Sequence, residues 1–195
     1  TLDGDICSSL CESTVSVSLV RDINVLGASS NPTSFLDNDN KLYFVAKDVL
    51  AGEELWVTNL ISYETYMIKD IKQGPISSSI KFLTSIGSVV YFSANSTYGD
   101  ELWRSDGTEE GTYMVKDIHA YGSSSPSSLF VHNGILYFFA NDGVNGKELW
   151  RSDGTETGTY IVKDINPGSL SSSPSQFYLF NDIIYFYATN GVNGK

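Results

Sequence analysis

Asp106-Gly107-Thr108 and Asp153-Gly154-Thr155 are the residues whose types and spacing come nearest to a chemical site. Their carboxylate and hydroxyl oxygens could ligate calcium, a hard cation that takes oxygen donors. The same triplet has a structural use, because Gly accepts positive φ in a tight hairpin while Asp and Thr side chains bond the turn backbone. The structural use is the expectation. The spacing is not that of a twelve-residue helix-loop-helix calcium loop, and the corresponding stretch at Asn59-Leu60 lacks the triplet. No cofactor is expected, with calcium at Asp106, Thr108, Asp153 and Thr155 as the alternative.

Other candidates fare similarly. Lys69-Asp70, Lys116-Asp117 and Lys163-Asp164 recur at matching places and suggest either contacts between repeated units or an acid pair for glycoside hydrolysis. Catalysis needs different residues in different environments around one centre, whereas repetition supplies the same residue in every unit, so a structural role is expected. His119 and His132 do not make a ligand set. Trp56, Trp103 and Trp150 could stack on sugars if exposed. Their place among alternating polar residues instead predicts packing between neighbouring units, with the adjacent Glu pointing the other way. Loop tyrosines such as Tyr98 and Tyr121 leave a sugar-binding site open. No nucleophile motif, phosphate loop or dinucleotide fingerprint is present, and the expectation is that the chain is not an enzyme.

The elements that would position these residues are set by repetition. The three tryptophans recur every 47 residues, each within Glu-Leu-Trp. Asp22, Asp70, Asp117 and Asp164 each stand in a Lys/Arg-Asp-Ile triplet, and Tyr43-Phe44, Tyr91-Phe92, Tyr137-Phe138 and Tyr185-Phe186 give a third marker. Tyr43, Tyr91, Tyr137 and Tyr185 are expected, with the tryptophans, to pack the core of the repeat.

One unit reads as four short strands: Ser128 to His132, Ile135 to Ala140, Lys147 to Arg151 and Thr159 to Ile165, separated by Asn-Gly and Asp-Gly turn signals. A four-stranded sheet of this size cannot bury both faces alone, but copies packed on each other can. The expected fold is all-β, a β-propeller-like array of four-stranded antiparallel blades with a period of about 47 residues, with an open solenoid as the alternative. Units are placed near 24–71, 72–118 and 119–165, with a partial unit at 166–195, all within a repeat domain spanning 15–195. Residues 1–14 read as a polar segment before the first strand. Val15 to Ile23 matches the last strand of a unit without the strands that precede it, and Gln176 to Lys195 supplies two strands of another. The array is thus expected to be part of a longer polypeptide or completed by another chain.

In its motifs the chain resembles the bacterial-type ELWxxDGT repeat family, also met in large secreted proteins labelled hyalin-like. The resemblance is carried by Glu101-Leu102-Trp103-Arg104-Ser105-Asp106-Gly107-Thr108 and Glu148-Leu149-Trp150-Arg151-Ser152-Asp153-Gly154-Thr155. Val115-Lys116-Asp117-Ile118 and Val162-Lys163-Asp164-Ile165 extend it. The first unit departs, reading Val57-Thr58-Asn59-Leu60 after its Trp. The resemblance implies an extracellular, propeller-like region of a surface or adhesive protein, and no catalytic residues.

Composition agrees with such a role. Twelve Lys and Arg against 23 Asp and Glu give a formal charge of -11, which disfavours a nucleic-acid partner. No membrane-spanning run is visible, and 12 Tyr with 10 Phe supply a core. Cys7 and Cys11 could form a local disulfide, link to another chain or stay free. Asn95-Ser96-Thr97 is a glycosylation sequon in an expected turn. The clusters Ser77-Ser78-Ser79, Ser123-Ser124-Ser125 and Ser171-Ser172-Ser173 read as flexible connectors or O-glycosylation sites. The resulting expectation is an extracellular structural or adhesive module that self-assembles with copies or with neighbouring repeats. A carbohydrate-binding propeller is the alternative, with glycans as partners.

Overall fold

The computed structural model describes the backbone of residues 7–10 and 16–19, and residues 20–24 and 27–194 in full. Cys11 lies outside the described residues, as does the side chain of Cys7, and with them the disulfide reading. Among the described residues every element is a β-strand. Strands β3 (Thr33–Asn38), β4 (Lys41–Asp48), β5 (Gly52–Asn59) and β6 (Thr65–Lys69) form one antiparallel sheet in sequence order. The same arrangement recurs in β7 (Lys81–Ile86), β8 (Val89–Ser96), β9 (Gly99–Ser105) and β10 (Tyr113–Lys116), and again in β11 (Ser127–His132), β12 (Ile135–Asn141), β13 (Lys147–Ser152) and β14 (Tyr160–Lys163). Two further sheets have two strands each: β15 (Ser175–Phe180) with β16 (Ile183–Tyr187), and β1 (Cys7–Leu10) with β2 (Ser16–Leu19). The array is thus all-β, with four-stranded antiparallel sheets at a roughly regular period.

Strand β1 corrects the reading of residues 1–14 as preceding the first strand. Its register on β2 explains the correction. Cys7, Ser8 and Ser9 pair with Leu19, Ser18 and Val17, as Trp56, Val57 and Thr58 pair with Met67, Tyr66 and Thr65. The β1–β2 hairpin therefore repeats the third and fourth strands of a unit, with Cys7 where the others carry Trp. That substitution erases the marker on which the sequence pattern depends.

Successive sheets meet at their first strands, with β3 against β7, β7 against β11 and β11 against β15. Each of these strands is bulged near its start, where Ser34, Phe82, Ser128 and Gln176 hold φ of 55°, 61°, 55° and 53°. Non-glycine residues reach this region rarely, and a bulky one at some cost. The bulge increases strand twist locally. It recurs in all four first strands with Ser, Phe or Gln at the position, so the cause lies in the architecture.

The core lies between the sheets. Tyr43, Val45, Leu55 and Val57 of the first sheet pack with Val90, Phe92 and Trp103 of the second. Tyr91 and Leu102 of the second pack with Leu136, Phe138 and Trp150 of the third. Alternation along the strand sends Leu55 and Leu102 toward the following sheet and Trp103 and Trp150 toward the preceding one. Each unit is thus a two-sided layer, which accounts for the near-continuous apolar runs at Tyr43 to Ala46 and Leu136 to Ala140.

Candidate functional site

The most strongly patterned polar chemistry in the molecule sits where one sheet hands over to the next. Glu54, Glu101 and Glu148 of the Glu-Leu-Trp triplets are fully buried. Glu101 Oε2 accepts hydrogen bonds from the Ile118 amide at 3.1 Å and the Ser124 hydroxyl at 2.6 Å, while its Oε1 accepts the Ser124 amide at 3.0 Å. Glu148 accepts the amides of Ile165 at 3.1 Å and Ser172 at 2.7 Å. Glu54 accepts the Ile71 amide at 3.2 Å and the Ser78 hydroxyl at 2.7 Å.

The serines face the other way through their backbone. Ser78 O accepts from Asn95 N at 2.6 Å, Ser124 O from Asn141 N at 2.9 Å and Ser172 O from Thr189 N at 2.9 Å. Each serine joins the glutamate of one sheet to the second strand of the following sheet or, for Ser172, to Thr189 two residues beyond that strand. Ser78, Ser124 and Ser172 are fully buried, so these clusters are not flexible connectors. The glutamates differ from expectation too. Leu, and not Glu, occupies the face opposite Trp, and the carboxylate is enclosed because it takes up amide and hydroxyl donors that would otherwise be orphaned.

Burial dominates the electrostatics of this lock. It pushes the Glu54 carboxyl up to about 7, against lowering by the Ser78 and Ile71 bonds. Glu101 is likewise raised by burial, with the Ser124 and Ile118 bonds opposing.

Asp-Gly-Thr turns form a second contact between sheets. Asp106 Oδ1 accepts from the Thr108 amide at 2.9 Å and its hydroxyl at 2.7 Å, and Asp153 does the same with Thr155 at 2.9 and 2.7 Å. The threonine hydroxyl bonds hold both carboxyls below their usual range. Gly107 and Gly154 have φ of 91° and 90°, and a Cβ there would stand 2.8 and 2.2 Å from the hydroxyls of Tyr43 and Tyr91 in the preceding sheet. Lys41 Nζ donates to Asp106 O at 2.8 Å and Tyr66 Oη to Gly107 O at 3.0 Å. Lys69 and Lys116 of the Lys-Asp pairs donate to Thr112 O and Thr159 O of the following sheet, each at 2.8 Å. In the first unit Asn59 substitutes for Asp, with Oδ1 accepting from Ile61 N at 2.8 Å and Ser62 N at 3.0 Å. Among the described residues no group of three or more His, Cys, Asp or Glu side chains is arranged to hold a metal.

The remaining candidates are dispersed. Trp103 and Trp150 are buried between sheets, as are Tyr43 and Tyr91, Trp56 is buried against Ile23, Phe44 and Ala46, and Tyr137 is half-buried. Tyr185 departs from the expected core role and is 50 % exposed. Asn95 lies inside β8 and not in a turn; it is half-buried, and its Oδ1 accepts from Lys72 Nζ. His119 packs beside Gly122 and Gly143 in a loop, whereas His132 Nε2 lies 3.2 Å from Asp182 Oδ1. Tyr98 and Tyr121 share one open cleft with Thr97 and Ser123.

A concavity of about 580 Å³ lies on the β15–β16 hairpin, lined by Gln176, Phe177, Tyr178, Tyr185, Phe186 and Tyr187. Phe177 stacks on Phe139 of the third sheet at 4.4 Å between ring centroids. On the hairpin, Tyr178, Tyr185 and Tyr187 are 66, 50 and 57 % exposed. Their counterparts in complete sheets are covered by the following unit.

Neither a protein-family model nor a curated protein matches the sequence. Among solved structures the chain is similar to the crystal structure of the computationally designed Ika8 protein, at 16% identity and a TM-score of 0.49. The likeness covers 98% of this chain and 54% of that one, so the chain spans about half the length of the designed protein.

Proposed function

We propose that this chain is an extracellular structural or adhesive repeat module of the ELWxxDGT type, built as a propeller-like array that assembles with further copies or repeats. The observation that carries the reading is that each four-stranded sheet buries its aromatic faces and its glutamate against the sheet that follows, so that the units are built to stack on one another. Three units spend their aromatic and buried polar residues on joining the next unit. The extracellular assignment rests on the motif resemblance. Sedimentation velocity and negative-stain microscopy over a concentration series test the proposal: growth into ordered oligomers or filaments is expected, and a monomer throughout would overturn it.

A second reading draws on the cleft shared by Tyr98, 60 % exposed, and the fully exposed Tyr121. The other units carry Ala51 and Asn145 in place of Tyr98, so this cleft is peculiar to one repeat. Aromatic faces beside hydroxyls suit a neutral sugar. Binding on a glycan array that disappears with Tyr121→Ala would favour this reading, and an array without binding would remove it.

A further inference from the structure

Just past β6, Lys72 reaches from the first sheet into the second. Its Nζ donates to Asn95 Oδ1 in β8, a contact between two half-buried side chains 23 residues apart in sequence. We infer that this pair is a site of covalent modification, at which the Lys72 amine displaces the Asn95 amide nitrogen and leaves an isopeptide bond between successive sheets. The inference does not depend on whether copies assemble.

The same position makes contact in every complete unit, but its residues differ. Lys72, His119 and Asn166 each follow a Lys-Asp-Ile triplet, and Asn95, Asn141 and Thr189 each donate a backbone amide to the lock serine. His119 packs beside Gly143 and Asn166 beside Gly191, so all three residues face the same part of the following sheet. Neither His119 nor Asn166 carries an amine. At the junction before β3–β6 the two positions hold Asn24 and Lys47, with Lys47 N donating to Ser30 O. There the lysine side chain is exposed and Asn24 Oδ1 is buried without a hydrogen-bond partner, so that pair stands apart. Among the described junctions, only Lys72 and Asn95 hold a primary amine against a carboxamide.

Atoms and charge balance with no further reactant. The Lys72 ammonium gives up one proton, and the neutral Nζ attacks Asn95 Cγ, the carbon bonded to the oxygen it already contacts. A proton then passes from Nζ to Nδ2, the Cγ–Nδ2 bond breaks, and one ammonia leaves for each Cγ–Nζ bond formed. Holding the two groups together replaces a bimolecular encounter, and a carboxyl that exchanges protons near neutrality assists the transfers. Glu54 is such a carboxyl. It is fully buried, burial pushes it up to about 7, and its Oε1 has no hydrogen-bond partner. Its Oε2 accepts from the amide of Ile71, the neighbour of Lys72, and from the hydroxyl of Ser78, whose carbonyl accepts the Asn95 amide. Glu54 thus positions both reacting residues, each through one bonded neighbour, and its Oε1 receives the proton. The product closes a loop between two sheets that otherwise meet through side-chain contacts, as a disulfide does, but it is not broken by reduction. Asn95 is also the acceptor of the Asn95-Ser96-Thr97 sequon. A glycan keeps Nδ2 and the isopeptide bond expels it, so one chain carries one or the other.

Mass spectrometry tests the inference. The folded chain, after reduction, is expected to weigh one ammonia less than its sequence, and digestion is expected to release a branched peptide joining the segments around Lys72 and Asn95. Lys72→Arg, which keeps the charge without the nucleophile, and Asn95→Ala should each restore the full mass in a chain whose circular dichroism is unchanged. Glu54→Gln, close in shape, is expected to fold and to slow the appearance of the linked form after cell-free synthesis by roughly a hundredfold or more. A folded chain at its full sequence mass would overturn the inference, as would a glycan on Asn95. An ammonia loss that persists in Lys72→Arg, such as ring closure at Asn133-Gly134 would give, would overturn it too.

Discussion

The sheet β7–β10 and the hairpin β15–β16 start from nearly the same sequence, Val90-Tyr91-Phe92 against Ile184-Tyr185-Phe186, and end in different environments. Tyr91 is 4 % exposed and Tyr185 is 50 % exposed. What separates them is the neighbour on the following side, since Trp150 and Phe138 cover Tyr91. Burial in this molecule is therefore a property of position in the array as much as of residue type, as expected for a quasi-one-dimensional repeat protein.

The comparison breaks most visibly under truncation of the aromatic pair. Phe92→Ala, at a fully buried site, is expected to cost about 3–5 kcal/mol in urea denaturation. Phe186→Ala, half-buried at the equivalent place, should cost less than half as much. Equal losses would show that the hairpin face is covered in solution, and repeating the measurement across protein concentrations would show whether copies cover it.

Removing the lock comes next. Glu101→Ala leaves the Ile118 and Ser124 amides and the Ser124 hydroxyl without their acceptor, an expected loss of about 3 kcal/mol at roughly 1–3 kcal/mol per orphaned group. Ser124→Ala removes one donor and should cost about 1 kcal/mol. Thermal melts that shift equally for both variants would refute the assignment of the glutamate as the centre of the lock.

The pH dependence sharpens a difference within the lock itself. Glu54 is held at about 7 in the folded chain, above the usual carboxylate value, so the folded state binds the proton more tightly than the unfolded state. Stability should fall as pH rises from about 4.5 to about 7 and level off above it, with a total contribution of at most about 3 kcal/mol. Glu54→Gln should flatten that window. A slope of the same size in Glu54→Gln would assign the titration elsewhere.

The smallest effect concerns backbone strain. Ser79, Ser125 and Ser173 each follow a lock serine, are exposed and hold φ of 52°, 48° and 47°. Glycine relieves this strain but enlarges the unfolded ensemble, so Ser79→Gly is expected to stabilise by less than about 1 kcal/mol. A melt lowered by the substitution would mean that the Ser79 side chain contributes a contact of its own.

Much of this was legible from particular residues. The Glu-Leu-Trp, Asp-Gly-Thr and Tyr-Phe markers place all four strands of the third unit within one or two residues of their observed ends. Strand β1 was not legible, because Cys7-Ser8-Ser9 keeps the register of the motif and loses its side chains. The lock was not legible either. A glutamate beside an alternating strand reads as solvent-facing, and its serine lies 23 or 24 residues further on in a segment whose composition reads as linker.

Local chemistry decided the strands, their turns and their period, since alternating aromatic and branched residues and Asp-Gly turns act within a few residues of one another. Only the tertiary structure decided which faces are buried, why the glutamates are enclosed and where the tyrosines stay exposed. Those outcomes depend on the neighbouring sheet, and in a chain of near-identical units the sequence of one unit does not state what lies beside it.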